Sequence, residues 1–260
     1  MSVRYTDLFR LDGQTAIVTG GNGGIGATLC EALAEYGANV AVVGRRADLC
    51  EQVAAAVRAH GRVGLPIAAD ILAPGAMDRV VAETIDRLGS VEILVNCVGG
   101  NARYWAEEFP IDEWQRIVDL NLKSTFIACQ AVGRRLIAQG RGGKIINLSS
   151  VRSQLGIHSG YSAYTASKAA VNLLTKQLAT EWAKHKINVN AIAPTFIRTE
   201  QVADMLNDPS FYNPLVQRIP LGRVGETDDL VGALLLLASH AGDFITGHIL
   251  FVDGGVTACQ

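Results

Sequence analysis

No apolar stretch in this 260-residue chain is long enough to cross a bilayer; the longest, residues 230–238, has the length of a buried helix. Cysteine is sparse. Cys30, Cys50, Cys97, Cys129 and Cys259 are odd in number and scattered, with no Cys-x-x-Cys pair, so neither a disulfide framework nor a zinc site is indicated. A reducing cytoplasm is the expected setting. There is no excess of charge of either sign. The net charge is −2 with no basic block, which argues against nucleic-acid or membrane-surface binding. The N-terminal run Met1-Ser2-Val3-Arg4-Tyr5-Thr6-Asp7 is polar and lacks the apolar core of a signal peptide. Linkers, repeats and low-complexity tracts are missing too. What remains is a chain 49% hydrophobic and 18% charged, enough for a sizeable core, and a single domain over residues 1–260 is expected.

Short β-branched runs alternate with helical periods along the chain. Strands are predicted at 15–19, 39–43, 65–69, 93–96, 144–148, 187–192 and 248–252. Helices are predicted at 24–36, 47–59, 75–88, 112–139, 162–184 and 227–238. Such alternation predicts an α/β fold: a doubly wound parallel sheet of about seven strands with helices on both faces. Ligands then collect at the carboxyl ends of the strands, where the strand order reverses. Residues 195–225, with Pro209, Pro214 and Pro220, are the least regular segment; a connection that long suggests a substrate lid.

Between the first strand and the first helix stands Thr19-Gly20-Gly21-Asn22-Gly23-Gly24-Ile25-Gly26. A glycine turn that opens a helix offers free N–H groups and the positive end of the helix dipole to a pyrophosphate. Glycine matters because a Cβ would hold the phosphate off the backbone. A tight packing turn would look the same in isolation.

Downstream, Tyr164 and Lys168 lie one helical turn apart on one face of the predicted helix 162–184. A free phenol titrates near about 10, and a nearby ammonium is expected to lower that value. Tyr164 could then exchange a proton with an alcohol or a carbonyl oxygen. Ser149-Ser150 closes the strand 144–148, where a hydroxyl could hold a substrate oxygen or serve as a turn serine. Asn121 sits unfavourably in mid-helix, which suggests either a bound water or a carbonyl to satisfy.

Taken in order, Thr19-Gly20-x-x-x-Gly24-Ile25-Gly26, Asp70, Asn96-Cys97-Val98-Gly99, Asn121, Ser150, Tyr164-x-x-x-Lys168, Pro194 with Thr199, and Val252-Asp253-Gly254-Gly255 resemble the short-chain dehydrogenase/reductase family. The match runs from about residue 11 to residue 255 and falls in the family's short single-domain branch. The resemblance implies a Rossmann-type sheet and hydride transfer between a nicotinamide and a substrate carbon. It implies Tyr164 as general acid/base, and Lys168 as the group that lowers its pKa and binds the nicotinamide ribose. Ser150 would orient the substrate oxygen, and Asn121 would anchor a water in a proton relay. Asp70, with Ile71 beside it, would meet the adenine edge. Asn96 would stabilise the central strand, with Val98 and Gly99 lining the cofactor. Pro194, Ile197 and Thr199 would contact its nicotinamide side. A homotetramer with helices 112–139 and 162–184 in the interface is also implied.

This chain has Cys97-Val98 where the family usually has Asn-Ala, and Pro194-Thr195 where Pro-Gly is usual. Its gap from Ser150 to Tyr164 is one residue longer than the commonest spacing, which leaves Ser149 and Ser153 as alternative hydroxyls.

The second strand ends in Gly44-Arg45-Arg46, without the acid that an NAD-preferring site places there. Arg45 could fork onto a 2′-phosphate, with Arg46 beside it, so NADP is the expected cofactor and NAD the alternative. Arg152, Gln154, His158 and Tyr161 precede Tyr164, and Asn101, Arg103, Tyr104 and Trp105 follow the 96–99 turn. This polar, cationic wall suits a sugar acid, polyol or similar small hydroxy or keto compound, with Arg152 and His158 as substrate contacts. Reduction of an acyl-carrier-bound or aromatic β-keto group is the second reading, and a non-catalytic cofactor-binding protein the third.

Overall fold

Seven parallel strands form one sheet in the computed structural model, which describes residues 4–259. Residues 1–3 of the N-terminal run lie outside the described residues. The strands are β1 (Thr15–Thr19), β2 (Asn39–Gly44), β3 (Gly64–Ala68), β4 (Ile93–Asn96), β5 (Gly143–Leu148), β6 (Ile187–Pro194) and β7 (Ile249–Val252). Their order is β3-β2-β1-β4-β5-β6-β7, and every pair is parallel. The chain therefore winds outward from β1 in one direction, returns, and winds the other way from β4. Loops leaving β1 and β4 part to opposite faces, which opens a crevice at their carboxyl ends.

Alternate side chains on each strand enter two cores. Ala16 and Val18 of β1 join Leu29 and Leu33 of α1 (Gly24–Glu35), Ala54 of α2 (Ala47–Ala59) and Leu234 of α9 (Val231–Ala238). Ile17 points the other way, to Val80 of α3 (Ala76–Leu88), Val132 of α5 (Ser124–Gln139) and Leu178 of α6 (Ser162–Trp182). Helices cover both faces, so most strands read as near-continuous apolar runs rather than alternating ones.

Two elements differ from the sequence expectation. The helix expected over 112–139 is α4 (Ile111–Val118) and α5 joined by a π-helical turn, Asp119–Lys123, which contains Asn121. The wider turn loosens the regular ladder, and the hydroxyls of Ser124 and Thr125 bond the carbonyls of Leu120 and Asn121 at 2.6 and 2.8 Å.

The segment expected to be irregular carries α7 (Ala203–Asn207) and α8 (Pro209–Val216), with a small core of its own around Leu206, Ile219 and Val224. Its two stems are zipped together. The amide of Gly225 donates to Phe196 O at 3.0 Å and that of Arg198 to Gly225 O at 2.8 Å. Its end is held by the turn after β7, where Leu221 N–H meets Gly254 O at 3.1 Å. Prolines masked these helices because Pro209 occupies the first position of α8, where no N–H is needed.

Candidate active site

The glycine turn divides into packing and open positions. A Cβ on Gly20 would lie 2.9 Å from the Cys97 carbonyl carbon, and one on Gly26 would overlap the Gly20 carbonyl. These two glycines let β1, α1 and β4 close together. Around Gly23 a Cβ would meet nothing within 4 Å, and Gly24 (φ +52°) faces Thr199 across the crevice at 3.5 Å. So the start of α1 presents bare backbone to an open space between the glycine turn and the segment after β6, a cradle that fits a pyrophosphate. Ile25 is partly buried against the first core. Pro194 closes β6, and Ile197 is buried beyond it.

Beyond β2, Arg45 and Arg46 are exposed, and among the described residues neither pairs with a carboxylate. Asn22 packs over Gly44, which leaves no room for a Cβ there. At the end of β3, Asp70 is exposed, and its Oδ1 accepts the Leu72 amide at 3.0 Å; Ile71 is buried.

A buried polar chain crosses the sheet beneath the crevice. Thr19 Oγ1 donates to Asn96 Oδ1 (3.1 Å), Asn96 Nδ2 to Asn147 Oδ1 (2.9 Å), Asn147 Nδ2 to Thr175 Oγ1 (2.9 Å), and Thr175 to Val171 O (2.8 Å). It ties β1, β4, β5 and α6 together, with every group satisfied. Asn147 and Thr175 escaped the sequence reading, because a lone polar residue in an apolar run gives no sign of its partner.

Above that chain, the side chain of Asn121 is fully used by protein. Its Nδ2 donates to Gly100 O at 2.8 Å and Ile117 O at 2.9 Å, and its Oδ1 accepts Gly100 N–H at 3.2 Å. Of the two uses read from the sequence, carbonyl satisfaction is the one seen here. The π-helical turn thus holds Gly99 and Gly100 against α6. A Cβ on Gly99 would lie 2.9 Å from Asn121 Oδ1 and 3.5 Å from Lys168 Nζ. Val98 is partly buried against the second core.

Lys168 is buried, and its ammonium donates to Leu148 O at 2.7 Å, at the end of β5. Burial pulls its pKa down to about 8. The nearby Cys97 thiol is pushed up to about 12 by burial and stays neutral. Lys168 Nζ lies 5.7 Å from the centre of the Tyr164 ring.

The expected acidification of Tyr164 by this amine is corrected here. Burial raises the phenol's pKa above its ordinary value; the Ser150 hydroxyl pulls it back, Tyr161 pushes it up further and Arg152 lowers it. The ammonium is directed at the Leu148 carbonyl, and burial dominates the phenol's pKa.

Three serines lie beyond β5, and their partners differ. Ser149 Oγ donates to Asn172 Oδ1 at 2.5 Å, and Ser153 Oγ to the Ser150 carbonyl at 2.5 Å. Ser150 Oγ accepts the Arg152 amide at 3.1 Å, and its hydroxyl engages the Tyr164 phenol.

The outer wall is joined from two loops. Arg103 Nε donates to the Tyr161 hydroxyl at 2.8 Å, Tyr104 N–H to Gly160 O at 3.1 Å, and Trp105 lies against His158 with ring centres 5.0 Å apart. Tyr161 stands edge-on to Tyr164 at 6.2 Å. His158 is exposed and engaged with Trp105, whereas Arg152 is half-buried, with Nη1 donating to Gly156 O at 3.1 Å. Burial lowers the Arg152 pKa, and the charge of Arg218 adds to that. Arg218 comes from the excursion after β6 and was not singled out in the sequence. Arg103, Arg152 and Arg218 have no carboxylate partner among the described residues.

A doubly wound sheet with a bare glycine turn at β1, and a phenol, an ammonium and a hydroxyl gathered across the crevice, defines a dinucleotide-dependent oxidoreductase. A family model described as enoyl-(acyl carrier protein) reductase matches residues 20–257. The chain is 39% identical over 253 residues to gluconate 5-dehydrogenase of Gluconobacter oxydans, covering 97% of this chain and 98% of that protein. It is 42% identical over 250 residues to 2-dehydro-3-deoxy-D-gluconate 5-dehydrogenase of Bacillus subtilis, covering 96% of each. The crystal structure of a gluconate 5-dehydrogenase from Burkholderia cenocepacia in complex with NADP and tartrate superposes with a TM-score of 0.94 at 38% identity, over 99% of this chain and 100% of that one. The chain belongs to the short-chain dehydrogenase/reductase family, NAD(P)-dependent enzymes acting on CH–OH and C=O groups. Among the described residues no helix is long and apolar enough to cross a membrane, and no cluster of metal-ligating side chains occurs.

Proposed function

We propose that this protein is an NADP-dependent dehydrogenase/reductase of small sugar acids. The observation that carries the reading is the meeting of Ser150, Tyr164 and Lys168 at the carboxyl ends of the strands, beneath a mouth whose arginines have no acidic partner among the described residues. The names of the relatives support it, since they act on gluconate and its dehydro-deoxy derivative, and one was crystallised with NADP.

When bound, the nicotinamide supplies or accepts the hydride. Gly23, Gly24 and the amides opening α1 hold the pyrophosphate, with Gly20, Ile25 and Gly26 shaping the turn. Asn22, Arg45 and Arg46 take the 2′-phosphate; Asp70 and Ile71 border the adenine. Asn96, Val98 and Gly99 form the floor, and Pro194, Ile197 and Thr199 flank the nicotinamide side. Tyr164 gives its hydroxyl proton to a carbonyl oxygen in reduction and takes it back in oxidation. Ser150 donates its hydroxyl proton to the same oxygen and stabilises the charge that develops there. Lys168 holds the end of β5 and presents its charge to the ribose side. Asn121 acts by holding Gly99 and Gly100 in place. Arg152 pairs with the substrate carboxylate, and His158 closes the mouth beside it.

The whole chain acts as one catalytic domain, with residues 195–225 as its lid, a homotetramer in the cytoplasm. The test is a panel of sugar acids, polyols and neutral ketones with NADP and NAD, run on the wild type, Tyr164→Phe and Arg152→Ala. Turnover of a sugar acid, abolished in Tyr164→Phe, and a KM raised about 10–100-fold for carboxylated substrates in Arg152→Ala are expected. A panel answered only by neutral ketones, with Arg152→Ala silent, would end the sugar-acid reading.

A further inference from the structure

The face of α6 that carries Tyr164 and Lys168 continues, four residues on, to Asn172. Its amide works in both directions. Oδ1 accepts the Ser149 hydroxyl at 2.5 Å, while Nδ2 donates to Ser153 Oγ at 2.7 Å. Ser153 passes its own proton to the carbonyl of Ser150 at 2.5 Å.

The position of this relay matters. The sheet ladder makes its last contact at Ser149, whose amide meets Ile192 O at 2.8 Å. Ser150 is the first residue that the sheet no longer holds, and a short 3-10 turn, Val151–Ser153, is all that follows it. We infer that Asn172 is a positioning residue for Ser150, fixing its backbone so that the hydroxyl faces Tyr164. The inference rests on the reading of Ser150 as the oxygen-binding hydroxyl. On this account α6 supplies the acid at Tyr164, fastens the strand end through Lys168 and Leu148 O, and fastens the residues beyond it through Asn172.

Only a group that accepts at one end and donates at the other completes this chain. A carboxylate at position 172 accepts at both ends and draws the Ser153 proton away from the Ser150 carbonyl. A hydrocarbon releases both serines. A displacement of the order of 1 Å at a reacting group is worth up to about a hundredfold in rate.

The experiment compares kcat and KM for Asn172→Leu, Asn172→Asp, Ser153→Ala and Ser150→Ala, together with Ser150→Ala/Asn172→Leu and Ser150→Ala/Ser153→Ala. Asn172→Leu, Asn172→Asp and Ser153→Ala are each expected to lower kcat by about ten- to a hundredfold, with the KM for NADP unchanged. In the Ser150→Ala background, Asn172→Leu and Ser153→Ala are expected to lower kcat no further, because they act only through that hydroxyl. Equal losses with and without Ser150 would overturn the inference and mark Asn172 as structural support alone. So would full activity in both Asn172→Leu and Ser153→Ala while Ser150→Ala is impaired. If Ser150→Ala itself keeps full activity, the reading of the site fails first and takes the inference with it. Should Asn172→Leu fail to fold, Ser153→Ala, which removes one oxygen atom, decides alone.

Discussion

The ammonium of Lys168 donates to the carbonyl oxygen of Leu148 at 2.7 Å, and this bond joins the helix that carries Tyr164 to the strand end that presents Ser150. Burial holds the Lys168 pKa at about 8, below its ordinary 10.5. Below the lower value folded and unfolded chains both carry the charge, and the folded one bears the full burial penalty. Between the two values the unfolded chain binds the extra proton, so the penalty fades as pH rises. The stability of Lys168→Met relative to wild type should therefore fall by about 3 kcal/mol from neutral pH to pH 10.5. Urea midpoints of both proteins across that range check it; a difference that does not change with pH contradicts a buried charge.

Tyr164 is held above the ordinary phenol range by burial, against the pull of the Ser150 hydroxyl. At neutral pH it is therefore protonated, the form that donates to a carbonyl. Reduction should be insensitive to pH through neutrality, and alcohol oxidation should rise steadily toward alkaline pH as the phenolate forms. Rate profiles in the two directions test this. Oxidation already level at neutral pH would mean that a bound partner lowers the phenol after all.

Arg45 and Arg46 stand exposed past β2, without a carboxylate partner among the described residues, beside Asn22 over Gly44. Arg45→Ala should raise the KM for NADP about 10–100-fold and leave that for NAD nearly unchanged, the loss of one charge-assisted contact. Parallel kinetics with both cofactors decide the matter; an equal effect on the two would move the phosphate contact elsewhere.

Asn147 is fully buried, and both ends of its amide are used, by Asn96 and Thr175. Asn147→Ala leaves those partners short inside the sheet and should cost roughly 2–5 kcal/mol of stability. Denaturant unfolding measures it, and a loss under about 1 kcal/mol would mean that the chain rearranges to satisfy itself.

The strand and helix pattern was open to reading because helices cover both faces of the sheet. Runs such as 93–95 are apolar throughout, and glycines mark many of the places where the backbone turns back or approaches closely. The Ser150 ambiguity, by contrast, was insoluble in one dimension. Three hydroxyls within five positions differ only in which atoms lie opposite them, and the partner that engages two of them, Asn172, belongs to another part of the fold. The same holds for Arg218, which reaches the mouth from a segment whose helices are stabilised by a local core that leaves no periodic trace.

The amino-acid sequence determined the winding of the sheet, the glycine cradle at β1 and the Tyr164–Lys168 pair, since each depends on spacing within a single element. Tertiary structure alone decided where the Lys168 charge is directed, which serine faces the phenol, and in which direction the Tyr164 pKa moves. Those outcomes depend on burial and on the orientation of lone pairs between elements far apart in the chain, and neither is encoded in local periodicity.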